Sequence, residues 1–334
     1  MTAADPITAM ARRLALAHPD APIRTLARRL VGEANGAITL HQARLRMARC
    51  FGKQGVQARR DVKPVVTRPD RNGAIPLRMP PSQAEQWTPY TLDVTGTVGI
   101  LSDVHVPYHS EVALGAAVEH MKSIGITALV LNGDIADFYA ISRWEKAPGK
   151  RNFRRELDAV RGLLAWLRQE FPAIPIVFKS GNHEERWKHW LWQHAPEISD
   201  EPIMGLDNWL HMPQHGIALV EDQRPIMLGK LPVLHGHEKG KGISSPVNQA
   251  RGAFMRLHHT VLEGHGHRTS GHCEPDMWGS EVFCWSTGCL CDLRPEFARL
   301  NKWNWGFATV TVEPDSQFNV ENFRITAEGK VRTS

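Results

Sequence analysis

Several features that would assign this chain to a particular protein class are scarce or absent. No stretch approaches the ~18–20 consecutive apolar residues that a membrane span needs, and the N-terminus lacks the apolar segment of a secretory signal. The five cysteines are an odd number, and Cys289-Leu290-Cys291 lacks the two-residue spacer of a zinc knuckle or redox pair. These absences predict a cytoplasmic protein with reduced thiols and no membrane partner.

Positive charge is distributed unevenly along the 334 residues. The net charge is +5, but residues 1–60 hold eleven Lys/Arg against three acidic residues. The first sixth of the chain therefore carries +8 and the remainder −3. A basic segment of this kind predicts contact with a polyanion.

Three short helices are predicted in this basic segment, over 7–17, 22–34 and 39–51, from apolar residues at helical spacing. Basic helices joined by tight turns are typical of a helix-turn-helix. Residues 1–54 are therefore predicted to form a small all-α, helix-turn-helix-like module that binds DNA, with formation of a homo-oligomer as the alternative. The candidate nucleic-acid contacts are Arg28, Arg29, Arg44, Arg46 and Arg49.

The composition changes twice after this module. Residues 55–95 contain repeated prolines, which predicts a linker or an extended arm. Residues 96–330 alternate short apolar strands with helices and end in a β-rich segment. That order predicts a layered α/β domain in which a second sheet packs against the first.

Metal-binding residue types follow five of the predicted strands. Because loops at the carboxyl ends of neighbouring strands lie side by side, these residues are expected to converge. The segments are Ser102-Asp103-Val104-His105, Asn132-Gly133-Asp134, Gly181-Asn182-His183-Glu184, His235-Gly236-His237 and Gly264-His265-Gly266-His267.

The residue types indicate the chemistry of the site. The two oxygens of Asp134 allow it to bridge two cations ~3.5–4 Å apart, the separation that two-metal phosphoesterases use. Oxygen and imidazole ligands without thiolates favour Mn, with Fe, Zn, Co or Ni as alternatives. His237 is an alternative to His235 as the ligand of its segment.

The series Asp-x-His, Gly-Asp, Gly-Asn-His-Glu, His and Gly-His-x-His resembles the calcineurin-like metallophosphoesterase superfamily over residues 97–270. The resemblance implies a four-layer αββα sandwich with a dinuclear site between the sheets. It implies that the first metal is held by Asp103, His105, Asp134 and His267. It implies that the second is held by Asp134, Asn182, His235 and His265. His183 would protonate or stabilise the leaving oxygen, oriented by an acidic neighbour.

The substrate is less well determined. The protein phosphatase branch carries arginines where this chain has Phe138 and Ser180, which argues against a protein phosphatase. The segments around Asp103 and Asp134 are similar to DNA-repair exonucleases and nucleotide pyrophosphatases. The basic N-terminus favours a DNA nuclease, and so do tryptophans that could stack bases. The alternative is a small-molecule nucleotide pyrophosphatase or phosphomonoesterase. The tryptophans concerned are Trp187, Trp190, Trp192, Trp278, Trp285, Trp303 and Trp305.

Overall fold

A computed structural model describes residues 5–18, 21–51, 81–145, 147, 149, 152–240 and 248–334. The chain divides into two compact units, Met1–Ala84 and Glu85–Ser334. Most of the predicted linker, residues 55–80, lies outside the described residues. Its last part contains a short strand of the second unit, Tyr90–Thr91.

The first unit contains the three predicted helices: α1 (Pro6–Ala17), α2 (Ile23–Glu33) and α3 (Leu40–Cys50). The start of α3 is fixed by a capping box, in which the Thr39 hydroxyl accepts from the backbone of Gln42 while the Gln42 side chain accepts from the backbone of Thr39. Buried residues of all three helices form one small core, consisting of Ala11, Leu14, Ala15, Leu26, Ala27, Leu30, Ile38, Ala43, Met47 and Cys50.

The arginines of this unit differ in their surroundings. Arg28, Arg44 and Arg49 are exposed. Arg29 Nη1 donates to His18 Nε2, and the two nitrogens are 2.7 Å apart. Arg46 forms an ion pair with Asp5 and donates to Thr8 at 2.8 Å, so it ties α3 to the start of α1. Arg46 therefore has a structural partner within the unit, whereas Arg28, Arg44 and Arg49 present their charge to solvent.

The second unit is built on two sheets. The first sheet has the order β13-β12-β11-β2-β3-β4-β5, in which β2 to β5 are parallel and β11 to β13 extend it antiparallel. Its strands are β2 (Gly96–Leu101), β3 (Ala128–Asn132), β4 (Ile176–Lys179), β5 (Ile217–Val220), β11 (Gly306–Val312), β12 (Phe318–Ile325) and β13 (Val331–Thr333).

The second sheet has the order β1-β6-β7-β8-β10-β9 and mixes parallel with antiparallel pairs. Its strands are β1 (Tyr90–Thr91), β6 (Ile226–Leu228), β7 (Leu231–Leu234), β8 (Val261–Glu263), β9 (Ser270–Pro275) and β10 (Glu281–Ser286). The helices of this unit are α4 (Glu111–Ile124), α5 (Phe153–Glu170), α6 (Glu185–His194), α7 (Leu206–Trp209) and α8 (Gln249–Leu257).

Buried apolar residues show how these elements are layered. One core joins the inner faces of the two sheets and includes Ile100 and Val130 of the first and Val233 and Leu262 of the second. A larger core covers the other face of the first sheet with α4, α5 and α6. A third packs α8 on the second sheet, through Ala250, Ala253, Leu234, Val261 and Cys284. The predicted four-layer αββα sandwich is confirmed.

The strands that sequence reasoning did not predict are short or poor in β-forming residues. β9 contains glycine at its second position and proline at its last, both of which are depleted in strands. β1 and β13 have two and three residues. Their pairing with longer neighbours, rather than their own composition, produces these strands. None of the described helices is long and apolar enough to cross a bilayer.

Candidate metal centre

The predicted ligands lie at strand ends of both sheets. The first sheet contributes four candidate ligands from three strand ends. Asp103 and His105 follow β2, Asp134 follows β3 and Asn182 follows β4. The second sheet contributes His235 after β7 and the histidines that follow β8, which are His265 and His267. The sandwich therefore brings together residues up to 164 positions apart in the chain.

One half of the site is formed by Asp103, His105 and His267. Asp103 Oδ1 is 3.0 Å from His267 Nε2 and 3.9 Å from His105 Nε2. The two imidazole Nε2 atoms are themselves 3.2 Å apart. All three side chains are buried. This half contains the residues expected to hold the first metal.

Asp134 connects this half to the other. Its Oδ2 lies 3.9 Å from His105 Nε2 on one side and 3.2 Å from His235 Nε2 on the other. Asp134, His235 and His265 place one ligand atom each within 4.8 Å of one another, and so do Asp103, His105 and Asp134. A carboxylate in this position can contact two cations at once.

Backbone conformation is unusual at these positions. The φ angles are +55° at Asp103, +52° at His105, +52° at Asp134, +61° at His265 and +55° at His267. Residues other than glycine seldom adopt positive φ, and such residues cluster at functional sites where the surrounding structure imposes them. The strands β2, β3 and β8 therefore each end in a sharp local turn at the candidate ligands.

Glycine is required where two of the ligand loops meet. A Cβ on Gly133 would lie 2.5 Å from His235 Nδ1 and 2.9 Å from the backbone Cα of Gly181, and the φ of Gly133 is +79°. A Cβ on Gly264 would lie 2.8 Å from Asp103 Oδ2. The glycines before Asp134 and His265 thus permit the close approach of the loops.

Several ligand atoms lack hydrogen-bond partners although they are buried. Among the described residues these include Asn182 Oδ1 and His267 Nδ1. A buried polar atom without a partner carries a desolvation cost of ~1–3 kcal/mol. Metal coordination would satisfy such atoms, so the donor set fits divalent cations.

The electrostatics also favour cations. Burial alone would raise the pKa of Asp103, but the imidazolium charges of His267 and His235 lower it below the usual aspartate range. Burial alone would lower the pKa of His235, but Asp134 and Asp103 raise it to about 10. Burial alone would lower the pKa of His267, but Asp103 raises it to about 8. The carboxylates attract protons onto these imidazoles, and metal binding would displace those protons.

Two buried glutamates hold the ligand loops in place, and neither was singled out from the sequence. The Glu184 carboxylate accepts from the backbone N–H groups of Asp134, Ala136 and Gly181 at 2.8–2.9 Å. Burial, together with the charge of Asp134, raises the pKa of Glu184 to about 7. Glu184 therefore ties the loop after β3 to the loop after β4.

The second glutamate is Glu238, which accepts from the backbone N–H groups of His235 at 2.9 Å and Gly236 at 2.6 Å. It pairs with the fully buried Lys179 at 2.9 Å. Against the effect of burial, Lys179 lowers the pKa of Glu238 to about 2. This pair fixes the loop that carries His235 and joins it to the end of β4.

His183 lies beside the cluster with a different set of partners. Its Nδ1 is 2.8 Å from the carbonyl oxygen of Asp137 and 3.2 Å from that residue's Oδ1, so the Nδ1–H group donates to Asp137. Its Nε2 faces the cluster, 3.9 Å from Asp134 Oδ2, and accepts from Arg186 at 2.8 Å. The acidic neighbour expected from the resemblance is in place, and it is Asp137.

Asp137 also serves the metal site itself, since its Oδ1 lies 3.0 Å from His105 Nδ1. A carboxylate on the far nitrogen of a ligating histidine fixes the ring and its tautomer. His237, the alternative ligand, instead pairs with Glu185 at 3.0 Å. The structure thus brings His235 to the cluster and holds His237 at its edge.

A cleft of about 1320 Å³ opens onto this centre. Its walls carry the guanidinium groups of Arg186, Arg294 and Arg299. The same cleft is lined by aromatic residues, which are Tyr108, Tyr139, Trp144, Phe297 and Trp303. The ring of Trp303 is centred 4.1 Å from the ring of His267, so an aromatic surface borders the ligand cluster directly.

The tryptophans that sequence reasoning considered for base stacking are spread over several environments. Trp303 lies in the cleft. Trp187 is buried, and Trp190, Trp285 and Trp305 pack against core clusters. Trp192 and Trp278 are exposed outside the cleft. Trp144, 65% exposed, is the cleft tryptophan that was missed, because a lone aromatic in a loop has no periodicity.

Comparison with known proteins found no matching model of a protein family. Two curated relatives, the Gene 54 proteins of Mycobacterium phage L5 and Mycobacterium phage D29, are each 26% identical. Each alignment covers 64% of this chain and 88% of the relative.

Among solved structures, Vacuolar Protein Sorting 29 from Cryptosporidium parvum is 14% identical, with a TM-score of 0.39 over 72% of this chain and 97% of that one. A dimetal phosphatase from Danio rerio is also 14% identical, with a TM-score of 0.34 over 72% and 99%. The architecture is established by this chain's own structure, that is, by the layering of its two sheets and the position of its ligand cluster. They confirm the fold implied by the resemblance to the calcineurin-like metallophosphoesterase superfamily.

Proposed function

We propose that this chain is a metal-dependent phosphoesterase that hydrolyses phosphodiester bonds, with DNA as its substrate. The observation that carries the proposal is the position of the ligand cluster at the floor of a cleft lined by arginines. A site with buried carboxylates and imidazoles attracts divalent cations. The cleft above it contains three arginines beside the acidic residues Asp137, Glu145, Asp292 and Glu296, so bound cations together with the arginines would attract a phosphodiester.

In this proposal the first metal is held by Asp103, His105, Asp134 and His267, and the second by Asp134, Asn182, His235 and His265. When bound, the two cations neutralise charge on the phosphoryl oxygens and lower the pKa of a coordinated water. Asp137 holds the rings of His105 and His183 through their Nδ1 atoms. That leaves His183 Nε2 facing the cluster, where it accepts from Arg186. Once protonated there and released from Arg186, it would give that proton to the leaving oxygen.

The residues of the cleft favour a nucleic-acid strand as the substrate rather than a small phosphomonoester. Arg186 lies beside His183, whereas Arg294 and Arg299 lie together and each donates to the carbonyl of the other. The cleft therefore offers positive charge at two places, which suits more than one phosphate. Phe297 is 80% exposed, and its ring centroid lies 6.2 Å from that of Trp303, so the two form an aromatic surface on one wall. Stacking of a base on such a surface contributes ~1–3 kcal/mol.

The experiment is a metal-supplemented substrate panel on chelator-treated full-length protein, with Mn, Zn, Co, Fe or Ni added singly. We expect hydrolysis of bis-p-nitrophenyl phosphate to require a divalent metal, and single-stranded DNA to be cut faster than free nucleotides. A higher kcat/KM on nucleotide pyrophosphates or phosphomonoesters than on DNA would favour the small-molecule alternative. Activity confined to phosphopeptide would favour a protein phosphatase.

The N-terminal unit is proposed to add DNA affinity. Arg44 and Arg49 on α3 are both exposed, and each phosphate that they neutralise contributes ~0.9 to the salt dependence of binding. We predict that Arg44→Ala/Arg49→Ala in the full chain lowers affinity for duplex DNA and reduces the slope of log K against log salt by about 1.8. Fluorescence anisotropy at several salt concentrations measures both.

The charge-matched control is Arg154→Ala/Arg256→Ala, which removes two exposed arginines of α5 and α8 and should leave the slope unchanged. A competing role is indicated by exposed apolar residues on the same helices, including Leu16 and Leu45. If Leu16→Ser/Leu45→Ser dissociates an oligomer in light scattering while the arginine variants bind DNA normally, the unit serves assembly instead.

A further inference from the structure

Cys291 lies inside the candidate metal centre. It follows β10, is buried, and lines the cleft. Its Sγ and one ring nitrogen each from His105 and His267 all lie within 4.8 Å of one another. Sequence reasoning gave the cysteines no role because Cys289-Leu290-Cys291 has no metal-binding spacing. The fold supplies the proximity that the spacing lacks.

The backbone fixes Cys291 against the loop that follows β2. Leu290 N donates to the carbonyl of Asp103 at 3.0 Å, and Asp292 N donates to the carbonyl of Tyr108 at 2.8 Å. Trp305 Nε1 donates to the carbonyl of Cys291 at 2.8 Å. The residue is held on both sides by hydrogen bonds, so its thiol has a defined position beside the ligands of the first metal.

A second observation concerns the residues around this thiol. His267 Nδ1 is buried and has no hydrogen-bond partner among the described residues. Asp103 Oδ1 lies 3.0 Å from His267 Nε2 and 3.9 Å from His105 Nε2. A buried carboxylate oxygen, two imidazoles and a thiol thus face one another, which is a donor set for a transition metal.

We propose that Cys291 is a thiolate ligand of the first metal ion. The proposal rests on the proposed function, because it assumes that Asp103, His105 and His267 hold a metal. On binding, the S–H bond breaks, the proton passes to solvent, and the sulfur donates an electron pair to the cation. No oxidation is involved.

A thiolate changes which metals the site selects. Soft sulfur favours Zn, Co or Fe(II), whereas sites of oxygen alone suit Mn or Mg. The first metal position is therefore selective for Zn, Co or Fe(II). The preference for Mn, which was inferred from oxygen and nitrogen ligands, then applies to the second metal position. Loss of the thiolate should weaken Zn binding at the first position at least ~10-fold and leave Mn binding within about twofold.

The test uses full-length protein loaded with Co²⁺, whose absorption spectrum separates thiolate ligation from oxygen and nitrogen ligation. We expect a near-ultraviolet thiolate-to-cobalt band in the parent protein and its loss in Cys291→Ser. Cys284→Ser is the matched control, since Cys284 is also buried but lies in the core beneath α8, where its Sγ donates to the carbonyl of His259 at 3.4 Å. That variant should keep the band. Zinc X-ray absorption gives a second readout, a Zn–S distance of ~2.3 Å that Cys291→Ser removes.

The outcomes are distinct. Cobalt bound with visible d–d bands but no thiolate band overturns the role of Cys291 and leaves the proposed function intact. A thiolate band that survives in Cys291→Ser also overturns it. Failure of the parent protein to bind Co²⁺ or Zn²⁺ at all overturns the proposed function together with this inference. Circular dichroism shows whether Cys291→Ser is folded, and Cys291→Ala repeats the test with a smaller side chain.

Discussion

Asp134→Asn should reduce phosphodiester hydrolysis by roughly 10³-fold or more, equivalent to about 4 kcal/mol of transition-state stabilisation. Asp134 is the residue that both halves of the centre share, since its Oδ2 lies 3.2 Å from His235 Nε2 and 3.9 Å from His105 Nε2. Asparagine keeps the shape and removes the negative charge that would balance two cations. We therefore expect metal content to fall from two ions toward one, measured by elemental analysis alongside kcat/KM on bis-p-nitrophenyl phosphate.

The matched control is Asp292→Asn, which neutralises an exposed carboxylate on the same cleft. Its Oδ1 caps the backbone N–H of Arg294 at 2.9 Å, a contact that asparagine can keep, so activity should stay within about twofold. DNA affinity should persist in both variants because the arginines are untouched. An Asp134→Asn protein with two metals and near-normal kcat would contradict the bridging role.

The main features of the centre were predictable because strand-end geometry is general. Parallel strands deliver their carboxyl ends to one edge, so ligand types after β2, β3 and β4 had to converge. The alternation of apolar strands with helices was equally predictable from the hydrophobic pattern, and the structure has short strands such as β5, β6 and β8 in that part of the chain. Metal binding by each of the predicted ligands stays a prediction.

The supporting contacts could not be predicted in the same way. Glu184 was visible in its motif, but its three backbone partners lie on other loops, and no local pattern specifies them. Lys179 ends an apolar strand and is fully buried. The residue type alone would predict an exposed side chain, because lysine is rarely buried without a partner. Its pairing with Glu238 is a tertiary contact between positions 59 residues apart. Such groups are identified only once the fold has placed both partners.

Long separation in the chain explains the remaining differences. Arg186 is adjacent to the predicted motif, yet its contact with His183 Nε2 depends on the turn into α6. Arg294 and Arg299 come from the segment between β10 and β11, and they reach the cleft because β11 returns to pair with β2 in the first sheet. Arginines therefore line the cleft although Phe138 and Ser180 occupy the positions where the protein phosphatase branch has arginine.

His183→Ala should lower turnover of a dinucleotide by ~10²–10⁴-fold, the usual contribution of a general acid. The loss should be much smaller for a p-nitrophenyl ester, because p-nitrophenolate leaves without needing a proton. His183 Nε2 faces the cluster while Asp137 holds Nδ1. Nε2 accepts from Arg186 at 2.8 Å in this structure, so the proposed role requires that nitrogen to leave Arg186 and take up a proton. His189→Ala is the control, since His189 is exposed on α6 and contacts Trp192. Comparing kcat for the two substrates separates the roles. An equal loss on both would assign His183 to stabilising charge or binding the phosphate, and no loss on either would remove it from the reaction.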